Sequence, residues 1–295
     1  MSTPKLPQDR VGLGWRPELA AGIFANLDKI DVVEVIGDDY LEASSRRQAL
    51  KLLARQMPLH IHSIGLGMAG TERVSIKRLE KLARLIHEVQ PELWSEHLAF
   101  VRAAGVEIGH LAAPPRNQVS VEGTAENLRK AAQMIGMQPA MENIATLLQP
   151  PCSTLPEQQW ISQIVSSSGC GVLLDLHNLH ANATNFSFDP LKYLDEIPLE
   201  RVRCIHIAGG RWIKSPDGKK DYLLDDHLHE VTDPVYELLA EVAARAEQPL
   251  TVILERDGKY PPMHILLAEL DRARAAMTAG RQRSRQTQPV VAHAS

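Results

Sequence analysis

The feature that most constrains the fold is the regular alternation of short apolar runs with amphipathic segments along the chain. Several runs are rich in Val, Ile and Leu, as strands buried on both faces of a parallel sheet are. The runs are Val11–Trp15, Asp31–Ile36, Pro58–Ser63, Leu93–Phe100, Gln138–Asn143, Gly171–Leu176, Val202–Ala208 and Leu250–Glu255. Eight strands joined by helices predict an α/β fold, a single-domain (β/α)8 TIM barrel, which typically needs roughly 250 residues. The 295 residues of the chain suffice for one such barrel.

The segments between these runs have helical periodicity. In Ser75–Gln90, Ile76, Leu79 and Leu82 lie on one stripe with Lys and Arg opposite, as in an amphipathic helix. Similar segments are Ala43–Gln56, Val121–Gly136, Pro156–Ser168, Asp233–Glu247 and Met263–Met277. We therefore assign residues 1–279 to the barrel. Residues 280–295 have few apolar side chains and are expected to form a disordered tail.

Composition excludes several classes of protein. The net charge of −4 and the absence of a basic stripe argue against nucleic-acid binding. No apolar run approaches the length of about 18 residues that a membrane-spanning helix needs. The segment MSTPKLPQDR lacks the apolar core of a secretory signal, and three cysteines without close spacing do not indicate a disulfide framework. The sequence thus predicts a cytoplasmic enzyme without a membrane or nucleic-acid partner.

Histidines and carboxylates recur at the predicted strand ends, which is where TIM-barrel active sites lie. Six strands supply His62, His97, Glu142, Asp175, His206 and Glu255, and the segment LLDDHLH adds Asp225 and His227. A buried carboxylate is costly unless it is paired or bound to a cation. Imidazole with carboxylate suits Fe, Mn or Zn, so the pattern predicts a metal centre.

An ordinary structural role remains the alternative for each residue taken alone. A single histidine at a strand end is more often a hydrogen-bonded polar residue than a ligand, and an aspartate there is often a helix N-cap. Six coincident positions make that explanation much weaker. His60 shares a strand face with His62, so we assign it to the deeper core or to a supporting role behind the ligands.

Seven segments together resemble one known family. They are HIHSIGLGMAG, SEHLAF, MENIATLL, GCGVLLDLHN, VRCIHIAGG, LLDDHLHEVTDPV and ILERD. In this order they resemble the DUF692 (UPF0276) family, the multinuclear non-heme iron-dependent oxidative enzymes, over about Gly12 to Pro262. The resemblance implies an enzyme that uses O₂ to modify a ribosomally synthesised precursor peptide at cysteine or an acidic residue. It also implies two or three irons in mixed Fe(II)/Fe(III) states, and a separate recognition protein that presents the peptide.

The same order of ligands occurs in the apurinic endonucleases, and this parallel implies a role for each position. His62, His97 and Glu142 would hold one ion, and Glu142 would bridge to a second ion completed by Asp175, His206 and Glu255. Asp225 and His227 would hold a third ion or close the site. The third ion is in question because Asn178 stands where trinuclear relatives have histidine. The other candidate ligands or supporting groups near these positions are His177, His180 and His229.

Three other functions remain open. A zinc-dependent phosphodiesterase of the endonuclease type would use the same ligands, but the chain lacks a basic stripe for DNA. A sugar isomerase with Mn or Mg would need a catalytic lysine, which is not evident. A metal-binding or peptide-binding module without catalysis is the third. For the favoured function, the long connection 209–231 is expected to be a flexible loop that grips the peptide through Arg211, Trp212 and Lys214.

Overall fold

The computed structural model describes residues 8–215 and 217–287. The strands are β1 (Arg10–Gly14), β2 (Val32–Ile36), β3 (Leu59–Ser63), β4 (Leu93–His97), β5 (Phe100–Ala103), β6 (Val106–Ala112), β7 (Ala140–Glu142), β8 (Gly171–Asp175), β9 (Val202–Ile207), β10 (Gly209–Lys214), β11 (Asp221–His229) and β12 (Thr251–Leu254). The α-helices are α1 (Ala20–Phe24), α2 (Ser44–Ala54), α3 (Ile76–Val89), α4 (Gln118–Ile135), α5 (Glu157–Ser168), α6 (Leu176–Phe186), α7 (Pro190–Glu196), α8 (Asp233–Arg245) and α9 (Met263–Thr287). Single 3₁₀ turns lie at Pro17–Leu19, Gly37–Tyr40 and Leu199–Arg201.

Eight strands close into a parallel barrel in the order β1-β2-β3-β4-β7-β8-β9-β12, with β12 paired back to β1. Every predicted strand is one of these eight, so the predicted single-domain TIM barrel is confirmed. One boundary differs by more than two residues. The fourth run was expected to reach Phe100, but β4 ends at His97 and Phe100 begins a separate hairpin.

The helices cover the outside of the barrel through their apolar stripes. In α3 the predicted stripe is buried at Leu79, Leu82 and Leu85. The Ser75 side chain accepts a hydrogen bond from the Arg78 N–H and caps the first turn. The six predicted helices are present, whereas α1, α6 and α7 were not predicted. Helix α6 begins directly after β8, with the Asp175 side chain as its N-cap.

A closed apolar layer crosses the interior of the barrel. It consists of one side chain from each of six strands: Val32, Leu93, Ala140, Leu173, Cys204 and Ile253. Since side chains alternate along a strand, the residues two positions further on face the same interior. Those residues are Glu34, Ser95, Glu142, Asp175, His206 and Glu255. A polar layer therefore lies directly above an apolar one, at the carboxyl ends of the strands.

Two antiparallel hairpins extend from this end of the barrel. The first, β5-β6, follows β4, and the second, β10-β11, follows β9. The expectation of a flexible loop over 209–231 was wrong, because this segment forms an antiparallel hairpin. Gly210–Lys214 pairs with residues 221–225, and Gly209 pairs with His229 after a shift in register.

The expected disordered tail also needs correction, because α9 continues through residues 280–287. Gly280 packs so closely on α8 that a Cβ there would lie 2.1 Å from the Ala240 carbonyl oxygen. Arg281 forms an ion pair with Asp9 at 2.8 Å. These two contacts hold the segment in place despite its polar composition, and residues 288–295 lie outside the described residues. Over 8–215 and 217–287, no helix combines the length and apolarity needed to cross a bilayer.

Candidate metal centre

Three predicted ligands from adjacent strands meet at one point. His62 Nε2 lies 3.3 Å from His97 Nε2, and each of these nitrogens lies 3.4 Å from Glu142 Oε2. Ligand atoms about 2.0–2.1 Å from one ion are about 3.4 Å apart at tetrahedral angles. The triangle formed by these three atoms therefore has the dimensions of one face of a metal site.

The two histidines of this group are supported from behind. His62 Nδ1 forms a hydrogen bond of 2.8 Å with the buried Ser95 Oγ. Glu96 lies 3.8 Å from His97 Nδ1 and also accepts hydrogen bonds from the Leu66 and Gly67 N–H groups. Burial alone lowers the pKa of His97, but the Glu142 and Glu96 carboxylates outweigh it and raise that pKa to about 9.

A second group shares Glu142 with the first. Its members are Glu142, Asp175, His206 and Glu255, all buried, with ligand atoms within 4.8 Å of one another. His206 Nδ1 lies 3.1 Å from Glu255 Oε2 and 3.9 Å from Glu142 Oε1. Glu142 thus directs Oε2 toward the first group and Oε1 toward the second, which is the arrangement that a bridging carboxylate needs.

Burial and the neighbouring histidines shift the pKa values of the carboxylates in the second group in opposite directions. Burial raises the pKa of Asp175 well above its usual range. Burial also raises the pKa of Glu142, to about 7, although the charges of His97 and His206 lower it. Burial opposes ionisation of Glu255, but His206 and His227 hold its pKa well below the usual range. The atoms Glu142 Oε2, Asp175 Oδ2, Glu255 Oε2 and both nitrogens of His206 make no aligned hydrogen bond. Buried nitrogen and oxygen atoms without hydrogen-bond partners are suitable ligand atoms for a divalent transition metal.

The other two predicted ligands, Asp225 and His227, lie at the rim of the barrel, outside the ligand groups found among the described residues. His227 Nε2 lies 2.7 Å from Asp225 Oδ1, and His227 Nδ1 lies 3.0 Å from Asp257 and 3.6 Å from Glu255. Arg16 forms an ion pair with the other oxygen of Asp257 and so fixes this carboxylate behind the imidazole. His177 is fully buried beside Asp225, and neither of its ring nitrogens has a hydrogen-bond partner.

A glycine makes this third arrangement possible. A Cβ at Gly210, at the start of the hairpin β10-β11, would lie 2.5 Å from His177 Nε2. Only glycine therefore allows the hairpin backbone to approach the imidazole so closely. The hairpin brings Asp225 and His227 over the carboxyl end of β8 in this way.

The remaining candidates occupy different positions. Asn178 is buried, donates to the Asn143 carbonyl oxygen at 3.0 Å and reaches Glu142 Oε1 at 3.4 Å. His60 is buried within the barrel, His180 is half-buried on α6, and His229 contacts Asp226 at 2.9 Å. These three belong to none of the ligand groups found among the described residues.

The proposed peptide-gripping residues lie on β10, on the outer face of the site. Trp212 is 61% exposed. Arg211 Nε lies 3.2 Å from Asp226, and Lys214 Nζ lies 2.9 Å from Asp221. The hairpin therefore presents an exposed indole whose neighbouring cations are already paired within the hairpin.

Sequence reasoning missed Glu34, which lies in the interior polar layer. It is 2% exposed, and its Oε1 lies 2.8 Å from His206 Nε2. The signal was present as a single carboxylate in the apolar run VVEVI of β2. Asp257 was also missed, because it follows the strand end by three residues.

Comparison with solved structures identifies barrels of the same fold. L-ribulose 3-epimerase matches over 95% of this chain and 96% of its own, with a TM-score of 0.60 and 13% identity. Endonuclease IV from Thermus thermophilus matches over 91% of this chain and 99% of its own, with a TM-score of 0.59 and 16% identity. At these identities the likeness establishes the fold alone.

Sequence comparison identifies closer relatives. A UPF0276 protein of Streptomyces avermitilis is 35% identical over 90% of this chain, which spans only 54% of that relative's length. A UPF0276 protein of Caulobacter vibrioides is 30% identical over 94% of this chain and 98% of its own. Residues 10–278 match the family described as RiPP precursor modification enzyme MbnB/TglH/ChrH, and the chain belongs to that family.

Proposed function

We propose that this chain is a non-heme iron enzyme that uses O₂ to modify a ribosomally synthesised precursor peptide at a cysteine or an acidic residue. The observation that supports this proposal best is Glu142, which faces two ligand groups with one oxygen each. Two adjacent metal sites that share a carboxylate would suit the oxidation of a bound substrate by O₂. Membership of a peptide-modifying family supports the choice of a peptide as substrate.

The residues present fit such a centre. His62, His97 and Glu142 would hold one iron, and Glu142, Asp175, His206 and Glu255 the other. Bound iron would supply the electron transfer to O₂ that protein side chains cannot perform. The protein fixes the ligands on rigid strand ends and closes the centre from below with the apolar layer of Val32, Leu93 and Ile253. Water is therefore excluded from one side, and substrate enters from the rim.

The rim residues have roles in binding and closure under this proposal. Asp225 and His227 cover one side of the second group, held by Asp257 and Arg16. The hairpin β10-β11 that carries them also presents Trp212 to solvent. An extended peptide that crosses the rim would contact the indole before its reactive side chain reaches the ligands. A separate recognition protein would present the peptide in this orientation.

The two metalloenzyme alternatives make different demands on the site. An endonuclease needs cations for phosphates along the DNA, whereas this chain has a net charge of −4. An isomerase needs a catalytic lysine near the metals, whereas the buried polar residues of the described chain include no lysine. Both would work with zinc or manganese and would need no O₂.

The proposal is tested by anaerobic purification, metal analysis and turnover. We expect about two irons per chain, or three when the rim ligands are also filled. Co-expression with each short reading frame next to this gene should yield a peptide whose mass changes only when O₂ and iron are present. The Glu255→Ala variant is the matched control, since it removes a ligand from the second group and should abolish that change.

Other results would assign the chain to one of the alternative functions. Full activity with zinc and no iron, or cleavage of DNA at abasic sites, would replace the oxidative function with hydrolysis. Epimerisation of a ketose in the presence of Mn²⁺ would assign the chain to the sugar enzymes. Stoichiometric metal and tight peptide binding, with no chemical change in any peptide, would leave only a binding module.

A further inference from the structure

Two buried polar side chains lie directly behind ligand histidines, on the side away from the ligand groups. Ser95 Oγ is 2.8 Å from His62 Nδ1, and Glu34 Oε1 is 2.8 Å from His206 Nε2. Both are at most 2% exposed. Each of these side chains therefore contacts one ring nitrogen of its histidine. The other ring nitrogen faces the carboxylates of the ligand group. None of the ligand assignments above accounts for Glu34 or Ser95.

Glu34 reaches His206 across the barrel rather than from a neighbouring strand. Strands β1 and β12 separate β2 from β9 in the barrel order. On β1, Gly12 faces the apolar layer, since a Cβ there would meet Val32 and Ile253 side chains within 3 Å. Gly14 is two residues further on, beside Glu34, and likewise carries no side chain. The inward positions of β1 therefore place no side chain between β2 and β9, although a Cβ at Gly14 would lie nearest to Arg16 and not to Glu34.

A charge placed in this position has a specific consequence for the imidazole. A carboxylate 2.8 Å from Nε2 favours a proton on that nitrogen, because attraction in a buried site is strong. The Nε2–H bond is not aligned with the oxygen, so the effect rests on charge more than on hydrogen-bond direction. Glu255 lies 3.1 Å from Nδ1 and favours a proton there in the same way, but Nδ1 is the nitrogen that faces the ligand group. The neutral imidazole that binds a metal would therefore keep its proton on Nε2, beside Glu34, and offer the lone pair of Nδ1. At His62 the arrangement is reversed, since Ser95 Oγ lies 2.8 Å from Nδ1. An Nδ1–H that donates to Ser95 leaves the lone pair on Nε2, the nitrogen that faces His97 and Glu142.

We propose that Glu34 is a positioning residue that fixes His206 as an Nδ1 ligand, while Ser95 fixes His62 as an Nε2 ligand. The two ions are then held by different nitrogens of their histidines, each selected by its own partner. Glu34 itself is not a ligand. A carboxylate behind a ligand histidine raises the basicity of the ligating nitrogen, and loss of such a partner typically weakens metal binding about 10–100-fold. This inference rests on the proposed metal centre.

The test uses Co²⁺ binding to the full chain in two single-site backgrounds. The His97→Ala background disables the first group and leaves the His206 site, whereas His206→Ala leaves the His62 site. We expect Glu34→Gln to weaken Co²⁺ binding about 10–100-fold in the His97→Ala background and not in the His206→Ala background. Ser95→Ala should give the reverse pattern. If Glu34→Gln weakens both sites equally, Glu34 only supports the barrel and the inference is wrong.

A second measurement needs no variant of Glu34 or Ser95 and so does not depend on their folding. In the Zn²⁺-loaded chain labelled with ¹⁵N-histidine, NMR should find His206 protonated at Nε2 and His62 protonated at Nδ1. The opposite tautomer at either residue would overturn the assignment for that residue. A cysteine-to-metal charge-transfer band with Co²⁺ would do so too, since it would place an ion between Glu34, Cys204 and His206. Failure of the wild-type chain to bind Co²⁺ would instead count against the metal centre itself.

Discussion

His177 Nε2 lies 3.7 Å from Asp225 Oδ1, the same oxygen that lies 2.7 Å from His227 Nε2. This contact joins α6 to the hairpin β10-β11. The sequence raised the question of a third ion because Asn178 replaces a histidine. The structure places the neighbouring residue, His177, beside the two rim ligands instead. A third ion would therefore be held by His177, Asp225 and His227.

We predict that His177→Ala lowers the metal content by about one ion when the wild-type chain is fully loaded. Burial holds the pKa of His177 at about 4, so its imidazole is neutral and ready to bind metal at pH 7. The measurement is metal analysis at saturating Fe²⁺ under anaerobic conditions. His180→Ala, on the same helix and half-buried, is the matched control and should leave the content unchanged. Equal metal content in both variants would remove His177 from the centre.

Glu142→Ala should be more damaging than the loss of any single histidine. Its two oxygens face different groups, so both lose a ligand when the carboxylate is removed. We expect both of these ions to be depleted in Glu142→Ala but mainly one in His97→Ala, as measured by metal content across a range of free Fe²⁺. If Glu142→Ala retains full metal while His97→Ala loses it, Glu142 does not bridge.

Much of this arrangement was predictable because strand alternation and barrel closure act together. The apolar runs fixed eight strands, and the position of each polar residue at a strand end fixed its height in the barrel. Alternation and closure therefore placed the six polar residues at one end of the barrel. Their division into one group with His62, His97 and Glu142 and another with Asp175, His206 and Glu255 was implied by the resemblance to the apurinic endonucleases.

The parts that sequence reasoning missed depend on contacts across the barrel or between loops. Glu34 contacts His206 across the barrel, with strands β1 and β12 between their own strands in the barrel order. The position of His177 depends on the close approach of Gly210, which no local pattern in α6 indicates. Asn178 was expected to weaken the third site, but its side chain reaches Glu142 in the second group. Periodicity gives the direction of a side chain and not the identity of its distant neighbour.

His60 should make the stability of the metal-free chain depend on pH. Burial lowers the pKa of His60 from 6.5 to about 3, so the folded state keeps the imidazole neutral. The unfolded chain takes up a proton below pH 6.5, and the stability contributed by the neutral form is lost as pH falls. Between pH 7 and pH 5 this loss is about 2 kcal/mol.

The measurement is urea unfolding of the metal-free chain at the two pH values. In His60→Asn, which cannot titrate, the difference between pH 7 and pH 5 should be smaller than in the wild type by about 2 kcal/mol. Other groups change charge in this range too, so only the difference between variant and wild type is compared. An identical pH dependence in both proteins would mean that His60 is solvated or already protonated in the folded chain.

The last prediction concerns peptide binding by the hairpin β10-β11. Because Trp212 is 61% exposed on a paired strand, its removal should weaken the peptide contact without disturbing the ligands. We expect Trp212→Ala to raise KM for the peptide about tenfold, the loss typical of an aromatic anchor, with kcat and iron content unchanged. Leu52→Ala is the matched control, since Leu52 is 53% exposed near the end of α2, at the opposite end of the barrel.

The joint change of Arg211, Trp212 and Lys214 to alanine should weaken turnover further. Because Arg211 contacts Asp226, next to Asp225, iron loss in proportion to activity would show that the hairpin only holds the ligands and that the peptide binds elsewhere.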